Sequence, residues 1–193
     1  AGHVAHRMGL PVDRFIVASN TNDILTRLID SGEMVADGVV PTLSPSMDIQ
    51  ISSNLERLLV ELLAGNGPAT AELLAGFRER GRASLTPQQH GRLVAEFAGA
   101  RLDDAETLAV MSAIYERHGL LVDPHTAVGI GAAERLRRPD EMIVTLSTAH
   151  PAKFPDAVEQ ATGVRPELPP HLAGIFDREE RVESLPNNLA VIE

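Results

Sequence analysis

With 193 residues, 44% of them hydrophobic and 23% charged, the chain has the length of about one domain and the balance of a globular protein. Its formal charge of −10 argues against a nucleic-acid footprint, and the absence of cysteine excludes disulfides, thiolate zinc sites and cysteine nucleophiles. No apolar run approaches the roughly 18 residues of a membrane span, so a cytoplasmic protein without a membrane partner is expected.

Ala1 to Met8 reads as the last turns of a helix, ended by Gly9-Leu10-Pro11. The chain thus opens in mid-pattern, which makes a piece of a larger protein the expectation. Arg14-Phe15-Ile16-Val17-Ala18 is a short apolar run suited to a buried strand. It delivers the polar cluster Ser19 to Asp23, after which Ile24, Leu25, Leu28 and Ile29 form a helical face that stops near Ser31-Gly32. A second strand is expected over Val39 to Leu43, leading into Ser44-Pro45-Ser46-Met47-Asp48. Ser53 and Glu56 have the spacing of a capping box, followed by Leu55, Leu58, Leu59, Leu62 and Leu63 at helical intervals.

Two further helices are predicted over Ala69 to Gly81 and Thr86 to Phe97, the second with Pro87 at its first position. A third runs from Asp103, boxed with Glu106, to His118. Strand–helix alternation resumes with Leu120-Leu121-Val122, a helix from Asp123-Pro124-His125-Thr126 to Leu136, and a strand over Met142 to Leu146. A helix from Pro155 to Gly163, a short helix around His171 to Phe176 and an extended end complete the chain. The pattern predicts an α/β architecture with a largely parallel sheet. Residues 1–54 and 119–163 carry the strand–helix units, 55–118 a helical insertion, and 164–193 a terminal helix and tail.

Ligands of open parallel sheets bind beyond the carboxyl ends of the strands. Four clusters fall there: Ser19 to Asp23, Ser44 to Asp48, Asp123 to Thr126, and Ser147 to Lys153. Each residue type in them is also a common helix cap, and for Asn22 and Ser46 capping is the expected role. His3 and His6 share a helix face, yet no third ligand accompanies them, so no metal site is expected. His125 and His150 each stand beside a strand end. Lys153, the one lysine among seventeen cations, invites a Schiff-base role, against which stands a plain exposed helix-start residue.

Three strings together resemble one family. They are Met8-Gly9-Leu10-Pro11 through Phe15 to Asp23; Thr42 to Asp48 with Ser53-Asn54-Leu55-Glu56-Arg57; and Asp123 to Gly129 with Leu146-Ser147-Thr148-Ala149-His150-Pro151-Ala152-Lys153-Phe154-Pro155. The match is to the carboxyl-terminal part of the threonine synthases, pyridoxal-phosphate (PLP) enzymes of the tryptophan-synthase-β fold type, and it is weakest over 65–102. The resemblance implies the carboxyl-terminal part of a fold-type-II large domain. It implies the conversion of O-phosphohomoserine and water to threonine and phosphate, with the amino-terminal half of the same polypeptide as partner. In that family the cofactor lysine stands in a Ser-Phe-Lys-Asp setting and a Gly-Asn-Phe-Gly loop cradles the phosphate. Neither string occurs here, so the chain alone is expected to be inactive and Lys153 is not the Schiff-base residue. By the family pattern the hydroxyl of Thr148, with Ser147 beside it, lies against the pyridine nitrogen. A neutral hydroxyl does not hold that nitrogen protonated, which makes the ring a gentler electron sink. Asn20, Asn22, Ser46, His150 and Lys153 are candidates for contact with the anionic substrate. A non-catalytic α/β binding or regulatory domain on the same scaffold, or a related PLP-dependent phospho-lyase, is the alternative reading.

Overall fold

The computed structural model describes residues 2–192. Its first helix, α1 (Gly2–Arg7), falls where the sequence predicts one, with Ala1 outside the described residues. Strand β1 (Phe15–Ser19) leads into α2 (Ile24–Ser31), which ends at Gly32 in the left-handed region, its amide returned to the Leu28 carbonyl. Next come a short β2 (Glu33–Val35), a coil through 36–54 that holds the 3-10 turn Pro45–Met47, and α3 (Leu55–Leu62). They are followed by α4 (Gly67–Arg80), β3 (Arg82–Ser84), α5 (Pro87–Glu96), β4 (Phe97–Arg101) and α6 (Asp104–His118). The chain then runs through α7 (Pro124–Leu136), α8 (Pro155–Thr162) and a final turn, α9 (Leu189–Ile192).

The architecture is α/β. β1 and β4 pair in parallel from Phe15 opposite Phe97 to Ser19 opposite Arg101, and β2 and β3 form a small antiparallel ladder. Alternation along the parallel pair sorts the core into two layers. Val17 and Phe97 face α2, α3 and α5 and join Ile24, Leu28, Leu59, Phe77 and Leu93. Ile16, Ala18 and Ala100 face α7 and pack with Leu102, Val128 and Ala132. A third cluster, Met111, Ala127 and Val158, locks α6, α7 and α8 together. The parallel ends of β1 and β4 and the start of α7 therefore meet at one edge.

Several expectations are corrected. The predicted strand at 39–43 is coil, because its backbone is bound by the side chain of Asn22 and not by a neighbouring strand: Asn22 Nδ2 donates to the Val40 carbonyl at 2.8 Å and Asn22 Oδ1 accepts the Val40 amide at 2.8 Å. Residues 120–122 and 142–146 pair with no strand among the described residues, and Met142 and Val144 stand 91% and 79% exposed. The Ser53–Glu56 capping box does not form, since α3 starts one residue later on Asn54, whose Oδ1 accepts from Arg57. Phe97 does not end a helix but begins β4, so the helical stretch 55–118 returns to the sheet before α6. The expected helix at 171–176 is two isolated 3-10 turns, Pro170–Leu172 and Ile175–Asp177, separated at Gly174. The Thr86–Gln89 and Asp103–Glu106 boxes are both complete.

Candidate functional site at the parallel strand ends

Beyond β1, Asn20 is almost fully buried and spends its whole amide inside the protein. Its nitrogen lies within reach of Asp48 Oδ1 at 2.7 Å, Thr42 Oγ1 at 2.8 Å, Ser44 Oγ at 3.0 Å and the Ser44 carbonyl at 3.2 Å. Its oxygen accepts from the backbone and side-chain nitrogens of Asn22 at 2.8 and 3.1 Å. Asn22 in turn donates to Asp48 Oδ1 at 3.0 Å. The second oxygen of Asp48 accepts the Thr42 amide at 2.9 Å, closing a network that shapes the 40–48 loop. Asn22 therefore clips this loop and does not cap α2, whose N-cap is Asp23. Asp23 accepts from Arg27 at 2.9 Å and from Arg101 at 3.3 Å, tying α2 to the end of β4.

The loop places Ser46, exposed in a 3-10 turn, over the start of α7. It is the backbone of Ser46 that engages: its N–H donates to His125 Nε2 at 3.2 Å. A backbone amide can only donate, so Nε2 is unprotonated and the ring hydrogen sits on Nδ1, which donates to Asp123 Oδ1 at 2.9 Å. Asp123 has no exposed surface and caps α7, accepting the amides of His125 at 2.9 Å and Thr126 at 3.4 Å. Its Oδ2 accepts the hydrogen of the Thr126 hydroxyl. Thr126 Oγ1 then accepts the Thr148 amide at 3.1 Å, with the two threonine hydroxyls 3.5 Å apart. Because the Thr126 hydrogen is committed to Asp123, Thr148 supplies the hydrogen in that longer contact.

Thr148 and Ser147 are exposed on the outer side of this joint. His150 caps the 3-10 turn Pro151–Lys153 by accepting the Ala152 amide on Nδ1 at 3.2 Å, leaving its ring hydrogen on Nε2 toward solvent. Lys153 is exposed, its Nζ 5.7 Å from the centroid of Phe154, whose ring packs on His125 at 4.5 Å. The structure thus gathers the loop of Ser46 with Thr148 and Lys153 around the start of α7, and turns Asn20 and Asn22 inward. Asp123, His125 and Thr126, one of the four strand-end clusters and a helix start in the sequence, hold the joint together; the partners they join lie too far along the chain for the sequence to have named them.

His3 and His6 take separate partners: His3 Nε2 meets Glu61 at 3.0 Å and His6 stands edge-on to Phe15 at 6.0 Å. No group of three or more potential metal ligands forms among the described residues. Glu106 falls below the usual carboxylate range through the Asp103 amide and then Arg135, and Glu141 drops to about 2 against Arg14.

Residues 126–193 match the family model "Threonine synthase, C-terminal". Threonine synthase of Pseudomonas aeruginosa is 47% identical over the whole of this chain, and that of Saccharomyces cerevisiae 41% over 83% of it. The chain spans 42% of the length of the first and 35% of the second. The crystal structure of PLP-bound threonine synthase from Brucella melitensis superposes with a TM-score of 0.91 at 42% identity, over 99% of this chain and 41% of that one. The yeast threonine synthase structure superposes with a TM-score of 0.83 at 35% identity, over 93% of this chain and 40% of that one. By these matches the chain belongs to the threonine synthase family, as a carboxyl-terminal portion of it.

Proposed function

We propose that this chain forms one wall of a PLP-dependent threonine synthase that converts O-phosphohomoserine and water to threonine and phosphate. The amino-terminal half of the same polypeptide supplies the cofactor lysine and the phosphate loop. Residues 1–54 and 119–163 act as the strand–helix frame of that wall, 55–118 as its helical flank, and 164–193 as its tail. Among the described residues no helix is long and apolar enough to cross a membrane, and a cytoplasmic location is part of the proposal.

The observation that carries the reading is the joint at α7, which presents a threonine hydroxyl outward while keeping the nearby carboxylate turned in. A ring nitrogen arriving at Thr148 meets a neutral O–H, since both oxygens of Asp123 are filled by His125 and Thr126. This donor set fits the pyridine end of PLP in a form without a proton on nitrogen. When bound, PLP supplies the electron sink that proton removal from an amino acid demands. The part of Thr148 is to orient the ring by turning its hydrogen from the long 3.5 Å contact with Thr126 to the ring nitrogen, and Ser147 offers a second hydroxyl beside it. His150 Nε2–H, the Lys153 ammonium and the Ser46 hydroxyl are the exposed donors suited to an anionic substrate, with Asn20 and Asn22 holding the loop that carries Ser46.

Residues 142–146 support the partnership. Met142, Val144 and Leu146 are exposed in a coil segment that pairs with no strand among the described residues, a surface suited to pairing with the amino-terminal half.

The test is phosphate release from O-phosphohomoserine by the full-length PLP-loaded polypeptide. Thr148→Val is expected to lower turnover by at least about tenfold, the scale for losing one well-placed polar contact to a reacting system, with the melting temperature kept within a few degrees. Absence of phosphate release from the unmutated protein, or unchanged kinetics in the variant, would overturn the reading.

A further inference from the structure

Two loops face the proposed site from different parts of the chain, and a single carboxylate reaches both. Asp123 Oδ1 accepts the Nδ1 hydrogen of His125, which leaves Nε2 as the acceptor for the Ser46 amide. Asp123 Oδ2 accepts the Thr126 hydroxyl hydrogen, which leaves Thr126 Oγ1 as the acceptor for the Thr148 amide. Each arm is a two-step chain with its polarity set from the buried end. Were the hydrogen of His125 on Nε2, it would face the Ser46 N–H donor to donor. Were Thr126 to turn its hydrogen away from Asp123, its oxygen would face the carboxylate acceptor to acceptor. Asp123 is fully buried, and among the described residues no arginine or lysine pairs with it. Its two oxygens are filled by backbone amides of α7 and by these two side chains alone.

We infer that Asp123 is a positioning residue that couples the substrate-facing loop 44–48, through His125, to the cofactor-facing loop 147–150, through Thr126. Neither His125 nor Thr126 has to touch a reacting atom for this. His125 fixes where the turn Pro45–Met47 sits over α7, and Thr126 fixes the backbone from which the Thr148 hydroxyl projects. Each loop is held by its own arm, and the two arms meet at this one buried carboxylate, one on each oxygen. The assignment of the two loops to substrate and cofactor rests on the function proposed above; the coupling itself rests on the hydrogen bonds alone.

The experiment uses the full-length polypeptide and reads each arm by itself. In hydrogen exchange, Thr126→Val is expected to speed exchange in 147–150 alone and His125→Leu in 44–48 alone. Asp123→Asn is expected to speed both, each by about fivefold or more, the factor for loss of one ordinary hydrogen bond. Thr126→Ser keeps the hydroxyl and is expected to restore slow exchange. With PLP bound, Thr126→Val should shift the absorption band of the cofactor and leave KM near its starting value, whereas His125→Leu should raise KM and leave the band in place. Should Asp123→Asn fail to fold, nitrogen NMR of His125 in the unmutated protein still decides the matter, because a hydrogen found on Nε2 would break the first arm. Parallel changes in both segments from either single-arm variant, or a change in one segment only from Asp123→Asn, would overturn the inference. A protein that binds no PLP but shows the expected exchange pattern would overturn the proposed function and leave the coupling standing.

Discussion

The guanidinium of Arg14, just before β1, grips both carboxylate oxygens of Glu141, with Nε to Oε1 at 3.0 Å and Nη2 to Oε2 at 2.8 Å. The same Arg14 donates to the Leu136 carbonyl at 2.6 Å, so one side chain fastens the end of α7 and the following turn to the start of the sheet. The Arg138 amide adds a third donor to Glu141 at 3.0 Å. Two parallel charge-assisted bonds are the strongest form such a pair takes at a protein surface.

This pairing holds the carboxyl of Glu141 at about 2, down from 4.5, through the hydrogen bonds from Arg14 first and the Arg138 amide second. A pKa depressed in the folded state means stability that is fully present above the unfolded value and lost as pH falls toward 2. Glu141→Gln is therefore expected to lower the melting temperature at pH 6 to 7 by a constant amount. The gap to the unmutated protein should narrow below pH 4.5 and close as pH approaches 2. Thermal melts of both proteins across that range check it; a gap that does not change with pH would refute the linkage.

Helix starts give a second contrast. Gln89 N donates to Thr86 Oγ1 at 3.3 Å while Thr86 N donates to Gln89 Oε1 at 2.8 Å, and the Asp103–Glu106 pair repeats the exchange at 2.8 and 2.9 Å. Thr86→Ala and Asp103→Ala should each cost about 1 kcal/mol, and Ser53→Ala close to nothing, because its box is not made. Denaturant unfolding of the three variants distinguishes them, and equal losses at Ser53 and Thr86 would count against this assignment.

Glycines of opposite consequence sit in neighbouring elements. A Cβ on Gly99 of β4 would lie 3.0 Å from the Cα of Thr26 and 3.1 Å from its Cγ2, so strand and α2 would have to separate. Gly91 in α5 has nothing within 4 Å of the same position. Gly99→Ala is expected to destabilise by about 1–3 kcal/mol. Gly91→Ala is expected to stabilise by about 0.5–1 kcal/mol through helix propensity. Melting temperatures that move in the same direction would contradict this pair.

Lys153 offers a chemical check on the proposed division of labour. Incubated with PLP and reduced with borohydride, the chain of residues 1–193 should acquire no stoichiometric pyridoxyl label on Lys153. Peptide mass spectrometry reads the outcome. Complete, site-specific labelling there would place the imine-forming lysine in this chain and refute the assignment of that role to the amino-terminal half.

Much of this fold is visible in the sequence wherever local chemistry decides. The Thr86-Pro87 and Asp103 starts, the leucine spacing of α3 and the Gly32 stop of α2 all need only neighbours within a turn or two. β4 escaped because Phe-Ala-Gly-Ala is poor in branched residues. Gly99 makes room for Thr26 of α2 while Ala100 packs toward α7, so the branched side chains that usually mark a strand are missing. The runs at 39–43 and 142–146 carry strand composition, but a strand also needs a partner, and composition does not supply one. At the site, the residue types of all four clusters were legible. Their grouping was not, because Ser46 finds His125 across 79 positions and Thr148 finds Thr126 across 22.

The pairing of Phe15 with Phe97 also sets a clock for folding. A parallel ladder between such distant segments forms only after the entropy of closing the intervening chain has been spent, and α2 to α5 lie inside that closure. The cluster of Ile24, Leu28, Leu59 and Leu93 is expected to shorten the wait, since its packing draws both flanks of the loop together. Assembly of the site edge is then expected to come late, with the carboxyl ends of β1 and β4 entering register only after this helical nucleus has condensed.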